Sequence, residues 1–352
     1  MILHVCTLDK FIPPFVKLIN EEFDKKNHQF WVAGVQRLKQ HPIEKSDNVF
    51  VVRRSLIAQI YAYVRLIFML HSAKKVILHG LFNYRVIIIL TLFPWLLGKC
   101  YWLIWGDDLY RYSKPKLSFK GKAYSSCRNF VINRIGHLVT YIPGDVELAR
   151  KWYGARGEYH ECLMYLSNLV NPQVLQSVEQ TKSTYSGLTI LVGNSADPSN
   201  NHIEALEKLL PYKDQDINIY VPLSYGDQDH AKKVIEQGKE WFGEKFFPIT
   251  SFMLFNQYLN FLKSVDIAIF NHKRQQAMGN TITLLGLGKT VYMRNDVSQW
   301  QFFKDLNVKI VYVSELNLSK LDRLEIDSNK KIVSNNFCLK NLISQYSKIF
   351  GK

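Results

Sequence analysis

The stretch "VDIAIFNHKRQQAMGNTITLLGLGKTVYM", residues 265–293, decides how the rest of the chain is read. VDIAIF (265–270) is a nearly continuous apolar run with no alternation, the pattern of a strand buried on both faces. NHKRQQAM (271–278) is polar and turns the chain. Gly279 and Asn280 then open a helical stretch, TITLLGLG, which closes into a second β-branched and aromatic run, TVYM (290–293). Strand, helix and strand in that order make a βαβ unit, and such a unit implies a parallel sheet.

The same alternation extends in both directions. Apolar runs stand at 2–6, 30–34, 49–52, 75–80, 100–106 and 137–142, then at 188–193, 217–222, 265–270, 290–293 and 309–313. Helical stretches such as NHIEALEKLL (201–210) and FNQYLNFLKS (255–264) separate them. The expected fold class is therefore α/β, with doubly wound, Rossmann-like parallel sheets covered by helices. A chain of 352 residues exceeds what one hydrophobic core usually serves, so two such domains are expected. The polar stretch NPQVLQSVEQTKSTYSG (171–187) marks the boundary, with domains over 1–172 and 186–328. Residues 329–352 read as closing helices that pack back on the first domain.

Hydrophobic residues make up 47% of the chain and charged residues 21%, which excludes disordered and fibrous classes. The five cysteines are scattered and form no CxxC, so neither a disulfide framework nor a zinc site is expected. MILHVCTLDKF reads as a strand, and no signal peptide is expected. The apolar stretch 86–105 is interrupted by Pro94, Gly98 and Lys99, too early for a membrane span of about 20 residues, and predicts a buried helix followed by a buried strand.

Of the net charge of +15, +12 falls in residues 1–172. It is densest over 109–140, where Arg111, Lys114, Lys116, Lys120, Lys122, Arg128 and Arg134 are interleaved with aromatic residues and no acidic one. Cations mixed with aromatics suit an anionic membrane surface. A nucleic-acid-binding protein would use the same charge, but RNP-type aromatics, zinc-finger spacing and a recognition helix are absent from the sequence.

Ligands of open parallel sheets bind outside the carboxyl ends of the strands, and four polar clusters fall there. In GNSADPSNNH (193–202), backbone N–H groups, a helix N-terminus and Asn and Ser donors suit a diphosphate, although the same residue types also serve plain turns and caps. Behind VDIAIF, Arg274 can grip a phosphate through two N–H groups, and Gln275 and Gln276 donate and accept without charge. Two neighbours rarely serve one ligand, so the two glutamines are not expected to share one role. In the basic half, LHGLFN (78–83) offers His79 as a base and IWGDDLY (104–110) offers Asp107 and Asp108. Adjacent carboxylates on an extended segment point opposite ways, so one should face the ligand while the other caps the next helix.

Three tempting matches fail. GLGKT (286–290) has Thr283 where a P-loop needs glycine and leads from helix into strand, so Gly288 reads as a helix C-cap. YRYSK (110–114) is followed by Pro115, which disfavours the helix a dehydrogenase YxxxK needs. Both DQD triplets, 214–216 and 227–229, lie in polar turn-like stretches.

TILVGNSADPSNNHIEAL, RQQAMG, YVPLSYG, IWGDDLY and HGLFN together resemble the TDP-4-acetamido-4,6-dideoxygalactose (TDP-Fuc4NAc):lipid II transferases, glycosyltransferase family 56. The resemblance runs from about residue 78 to 295. It implies a GT-B fold in which an N-terminal acceptor domain and a C-terminal nucleotide-sugar domain face a cleft. The implied reaction moves Fuc4NAc from TDP-Fuc4NAc to an undecaprenyl-diphosphate-linked oligosaccharide. The implied place is the cytoplasmic face of a bacterial inner membrane, as a peripheral protein making enterobacterial common antigen-like or O-antigen polysaccharide. No metal or other cofactor is expected, since protein donors hold the departing diphosphate.

Residue by residue, the resemblance implies donor binding by Gly193, Asn194, Ser195, Asp197, Ser199, Asn200, His202, Tyr225, Arg274, Gln275, Gln276, Gly279 and Asn280. It implies acceptor-side roles for Asn83 and Gly106 and catalysis by Asp108 or His79. Asp107 departs from the family, which tends to have a small residue there, and this favours Asp108 as the functional carboxylate. The first 70 residues, including VVRRSLIAQIYAYVRLIFML (51–70), match poorly, which leaves the acceptor glycan open. Another TDP-dideoxyhexose would also fit the donor loops.

Overall fold

A computed structural model describes residues 1–113, 118–170 and 187–351. The chain forms two compact units, Met1–Ser167 with Leu339–Lys352, and Asn168–Cys338. Lys114, Lys116 and nearly all of the expected boundary stretch lie outside the described residues.

The first unit is built on seven parallel strands: β1 (Ile2–Thr7), β2 (His28–Ala33), β3 (Val49–Val51), β4 (Lys75–His79), β5 (Cys100–Leu103), β6 (His137–Thr140) and β7 (Glu158–Glu161). They lie in the order β3-β2-β1-β4-β5-β6-β7. The helices are α1 (Ile12–Glu22), α2 (Leu56–Ser72), α3 (Tyr84–Leu92), α4 (Gly106–Leu109), α5 (Phe119–Arg134) and α6 (Pro143–Tyr153). Strand residues such as Leu3, Trp31, Val76, Trp102 and Leu138 are fully buried between the helical layers. This two-sided burial is why the strands are continuous in apolar residues.

The second unit has six parallel strands: β8 (Leu188–Val192), β9 (Ile217–Pro222), β10 (Phe246–Ile249), β11 (Ile267–Phe270), β12 (Thr290–Met293) and β13 (Val311–Tyr312). Their order is β10-β9-β8-β11-β12-β13, so the winding reverses between β8 and β11. The helices are α7 (His202–Glu207), α8 (Gln228–Phe242), α9 (Phe255–Ser264), α10 (Met278–Gly286), α11 (Ser298–Asp305) and α12 (Arg323–Asn336). The opening stretch is thus β11-α10-β12, and Gly288 (φ +77°) follows α10 in the left-handed conformation of a C-terminal cap.

Two strands escape a reading for apolar runs. β7 is EYHE and β10 contains Pro248. Both lie at sheet edges, where polar residues and proline are tolerated because one side of the ladder is unpaired. The closing segment, expected to begin at 329, divides instead at Leu339. α12 belongs to the second unit, and α13 (Leu339–Phe350) belongs to the first, where Tyr346 donates to the Met164 carbonyl at 2.8 Å.

Candidate active site

The two loops that flank the winding reversal in the second unit carry the strongest cluster. After β8 the chain turns at Gly193, with φ +70°. A Cβ there would stand 2.7 Å from His202 Nε2 and 2.9 Å from Asn200 Oδ1, so the turn admits glycine alone. Asn194 N donates to Asn200 Oδ1 at 2.9 Å, and Asn200 Nδ2 donates to the Asp197 carbonyl at 2.9 Å, which curls the loop on itself. Asp197 Oδ1 accepts from Ser199 N at 2.9 Å as the cap of the short turn Pro198–Asn200.

The loop after β11 is tied to the first at several points. Lys273 N donates to the Ser199 carbonyl at 2.9 Å. Arg274 Nε donates to Ser199 Oγ at 3.0 Å, while its Nη2 lies 3.4 Å from Asp197 Oδ2. Gln276 is nearly buried, with Nε2 donating to Asn194 Oδ1 at 2.8 Å and Oε1 2.7 Å from Ser199 Oγ. Gln275 contributes its backbone carbonyl, which accepts from Arg274 Nη1 at 3.2 Å. The two glutamines therefore divide: Gln276 knits the loops together through its side chain, and Gln275 holds Arg274 through its backbone carbonyl.

Asn201 and Ala277, the residues that precede α7 and α10, both take positive φ, +54° and +58°. Left-handed backbone costs an alanine of the order of 1 kcal/mol or more, a strain typical of functional loops. Tyr225 joins from the loop after β9. It is 46% exposed, its hydroxyl lies 3.3 Å from Asn194 Nδ2, and its carbonyl accepts from Ala196 N at 2.7 Å. Gly226 beside it allows close backbone approach, since a Cβ there would meet the Ala196 carbonyl carbon at 2.7 Å. Gly279 is an ordinary second residue of α10, and Asn280 Nδ2 donates to Tyr258 OH at 2.9 Å.

These loops bring cations and carboxylates together. Arg274 and the exposed Lys273 stand on one side and Arg294, directly behind β12, on another. Arg294 is paired with Asp296 at 2.5 Å and Glu204 at 3.5 Å. Asp197, an acceptor only, cannot donate to a phosphate and instead orients Ser199 and Arg274. Burial, aided by His230 at 3.1 Å from Nδ1, pushes His202 down to about 3, so its imidazole is neutral. Its Nε2 is buried without a hydrogen-bond partner beside Gly193. Sequence reasoning missed Arg294, which the same strand-end rule would have found, and Gln299, whose buried Oε1 accepts from Gln276 N at 3.0 Å.

In the first unit both candidate bases are buried. Asp108 is fully buried: Oδ1 accepts from Trp105 N at 2.9 Å, and Oδ2 from Leu81 N at 2.9 Å and Trp102 Nε1 at 2.7 Å. It caps α4 and fastens it to β4 and β5. Burial pushes its carboxyl up to about 6 against the pull of Arg128. His79 is also buried, with Nε2 3.2 Å from His4 Nδ1 and Nδ1 2.7 Å from Tyr165 OH, and burial pushes it down to about 3. Neither side chain is exposed to solvent. The accessible carboxylate is Asp107, 39% exposed at the side chain and 3.9 Å from Arg111 Nη2. Asn83 caps α3, accepting from Arg85 N at 3.1 Å and donating to Tyr63 OH at 3.0 Å, and Gly106 is the first residue of α4.

The membrane patch is corrected at Arg128. This side chain is 3% exposed, donates to Tyr153 OH at 2.9 Å and to the Asp108 carbonyl, and anchors the inner face of α5. Lys120 and Lys122 are exposed, and Arg111 is half-buried. Among the described residues, His137, Glu158 and His160 could hold a metal ion. Nδ1 of His137 and Nε2 of His160 are 2.9 Å apart, with Glu158 Oε2 at 3.5 and 3.7 Å. His137 and Glu158 open β6 and β7, at the strand ends opposite those where ligands of such sheets bind, and His160 is the third residue of β7.

A family model described as 4-alpha-L-fucosyltransferase glycosyl transferase group 56 matches residues 4–338. Among solved structures, the chain is similar to Anabaena Alr3699/HepE in complex with UDP and glucose, with TM-score 0.68 and 11% identity over 100% of this chain and 99% of that one. It is similar to a UDP-forming α,α-trehalose-phosphate synthase from Burkholderia xenovorans in complex with glucose-6-phosphate, with TM-score 0.64 and 8% identity over 100% and 99% of the two chains. A third likeness is to the Candida albicans trehalose-6-phosphate phosphatase N-terminal domain, with TM-score 0.65 and 11% identity over 99% and 96%. At these identities the likeness bears on the fold, which is the GT-B fold expected from the sequence.

Proposed function

We propose, because this chain belongs to the 4-alpha-L-fucosyltransferase family, glycosyl transferase group 56, that it transfers Fuc4NAc from TDP-Fuc4NAc to an undecaprenyl-diphosphate-linked oligosaccharide. The setting is the cytoplasmic face of a bacterial inner membrane, in the synthesis of enterobacterial common antigen-like or O-antigen polysaccharide. The observation that carries the donor half is the joined pair of loops at the winding reversal of the second sheet, with Arg274, Ser199 and Gln276 in mutual contact. Crevices outside such reversals are where doubly wound sheets take nucleotides. HepE, of like fold, is described in complex with UDP and glucose, which supports a nucleotide-sugar donor here.

In the reaction, the acceptor hydroxyl oxygen bonds to the anomeric carbon while the bond from that carbon to the β-phosphate oxygen breaks. TDP leaves with the electron pair. Arg274 meets the charge that develops on it, the electrostatic contribution that is usually largest. Gln275 turns its amide to the sugar. Asp107, the half-buried carboxylate of α4 just beyond β5, takes the acceptor proton in place of the buried Asp108 and His79. Protein donors hold the diphosphate, so turnover persists in EDTA.

Incubation with TDP-Fuc4NAc and lipid-linked precursors, read by mass spectrometry, tests the reading. The expected product carries one added acetamido-dideoxyhexose. A product with a different TDP-sugar alone reassigns the sugar, and no product with any TDP-sugar overturns the reading.

A further inference from the structure

Nineteen large hydrophobic side chains are exposed among the described residues, and ten of them lie on α2, α3 and the turn that follows α3. On α2, Ile57, Tyr61, Val64 and Phe68 recur at steps of four, three and four, which places them on one face. On α3 and its following turn, Ile88, Leu92 and Trp95 repeat the pattern. Exposure reaches 82% at Ile57, 71% at Phe68 and 66% at both Leu92 and Trp95. The inner face of α2 is satisfied separately: Ala62, Leu66 and Leu70 are fully buried, and Trp31 Nε1 donates to the Ala62 carbonyl at 3.0 Å. The outer stripe is therefore additional to the core.

The two stripes form one surface. Arg85 Nη1 donates to Gln59 Oε1 at 2.6 Å and Asn83 Nδ2 donates to Tyr63 OH at 3.0 Å near the start of α3. Near its end, the His71 ring lies 5.3 Å from Phe93 and 6.2 Å from Trp95. α2 and α3 thus run side by side in the same direction, with Val64 and Phe68 level with Ile88 and Leu92. Soluble monomers rarely leave so many neighbouring large apolar side chains in water.

The charge around this face selects its occupant. Between Asp47 and Asp107 the chain has seven basic residues and no acidic one. Arg53, Arg54 and Arg65 are exposed on or beside α2. A second copy docking face to face would bring these like charges together, which is unfavourable. An apolar strip with Tyr and Trp, rimmed by arginine, matches the boundary between acyl chains and anionic headgroups.

We propose that the paired outer face of α2 and α3 is the surface by which this protein sits on an anionic bilayer, rather than the α5 patch. The assignment deepens the proposed function and rests on it only for the identity of the lipid-borne acceptor.

Vesicle flotation of the full chain tests it, with phosphatidylcholine vesicles and with vesicles containing phosphatidylglycerol and cardiolipin. The expected result is flotation with the anionic vesicles, reduced about tenfold or more in Ile57→Ser/Phe68→Ser/Leu92→Ser. Arg53→Glu/Arg54→Glu should weaken it further at low salt, and Phe119→Ser/Lys120→Ala/Lys122→Ala should leave it unchanged. Equal flotation of the triple serine variant and the parent overturns the proposal, as does a dimer in light scattering that the serine variant dissolves. Turnover on a water-soluble short-chain acceptor is measured alongside. Activity retained by the serine variant there, but lost on vesicle-borne acceptor, supports the docking face. Flotation without turnover on any TDP-sugar sinks the proposed reaction and leaves the docking face standing.

Discussion

Arg274 Nε donates to Ser199 Oγ at 3.0 Å, a bond that joins two loops 75 residues apart at the carboxyl ends of β11 and β8. Since Asp197 also holds the guanidinium, the arginine is oriented before any ligand arrives. Preorganised donors of this kind cost nothing to align at the transition state.

Arg274→Ala should lower kcat on the TDP-sugar by about 100- to 1000-fold, the usual loss for one donor to a developing anion. Arg274→Lys should recover only part of it, because an ammonium cannot reproduce the planar fork. Steady-state kinetics decide the matter, and an Arg274→Ala enzyme with parental kcat removes this residue from the diphosphate.

Asp107 and Asp108 should fail in different ways. Asp107→Asn is expected to cut kcat by about 100-fold or more with an unchanged melting temperature, as for loss of a general base. Asp108→Ala strips the acceptors from the buried Leu81 N, Trp102 Nε1 and Trp105 N, and each orphaned donor costs about 1–3 kcal/mol. Its melting temperature should fall sharply. Thermal unfolding beside turnover separates the two, and a stable, inactive Asp108→Ala would return the catalytic role to Asp108.

Gly193→Ala should disable donor binding. The new methyl meets His202 Nε2 and Asn200 Oδ1 below 3 Å at a left-handed φ. The cost is about 1–3 kcal/mol for the backbone alone. The melting temperature should drop and the stabilisation by TDP should disappear; retention of the full TDP shift would contradict the loop geometry described above.

Mild acid should destabilise the protein. His79, His202 and His272 are each pushed down to about 3, chiefly by burial, from an ordinary value of 6.5. Between those values the folded chain binds fewer protons than the unfolded one, so stability present above pH 6.5 is lost as pH falls toward 3. The loss is at most about 1.4 kcal/mol per histidine per pH unit. Asp108, raised to about 6 from 3.8, works the other way, contributing stability below pH 3.8 that is lost as pH rises through 6. His4, held low by burial and by its neighbours His79 and His28, adds to the three, and the histidines together outweigh the one aspartate. Melting temperature should decline steadily from pH 7 to pH 5, and a flat profile over that range would show that these imidazoles are not buried neutral.

The sequence by itself determined the α/β class, the parallel strands, the basic first half and the polar loops at the strand ends. Each of these is local: a strand buried on both faces must be continuously apolar, and a strand-end loop must lie next to its strand in the chain. Only the tertiary structure decided which of two adjacent aspartates is buried, which glutamine knits the loops, that Arg128 is an internal anchor, and that α2 and α3 share one exposed face. Those outcomes depend on partners far along the chain. Leu81 and Trp102 close over Asp108, Ser199 meets Gln276, and Tyr153 receives Arg128. Burial and hydrogen-bond choice are properties of the packed layers, so residues of identical type and neighbouring number part company only when the sheets are assembled.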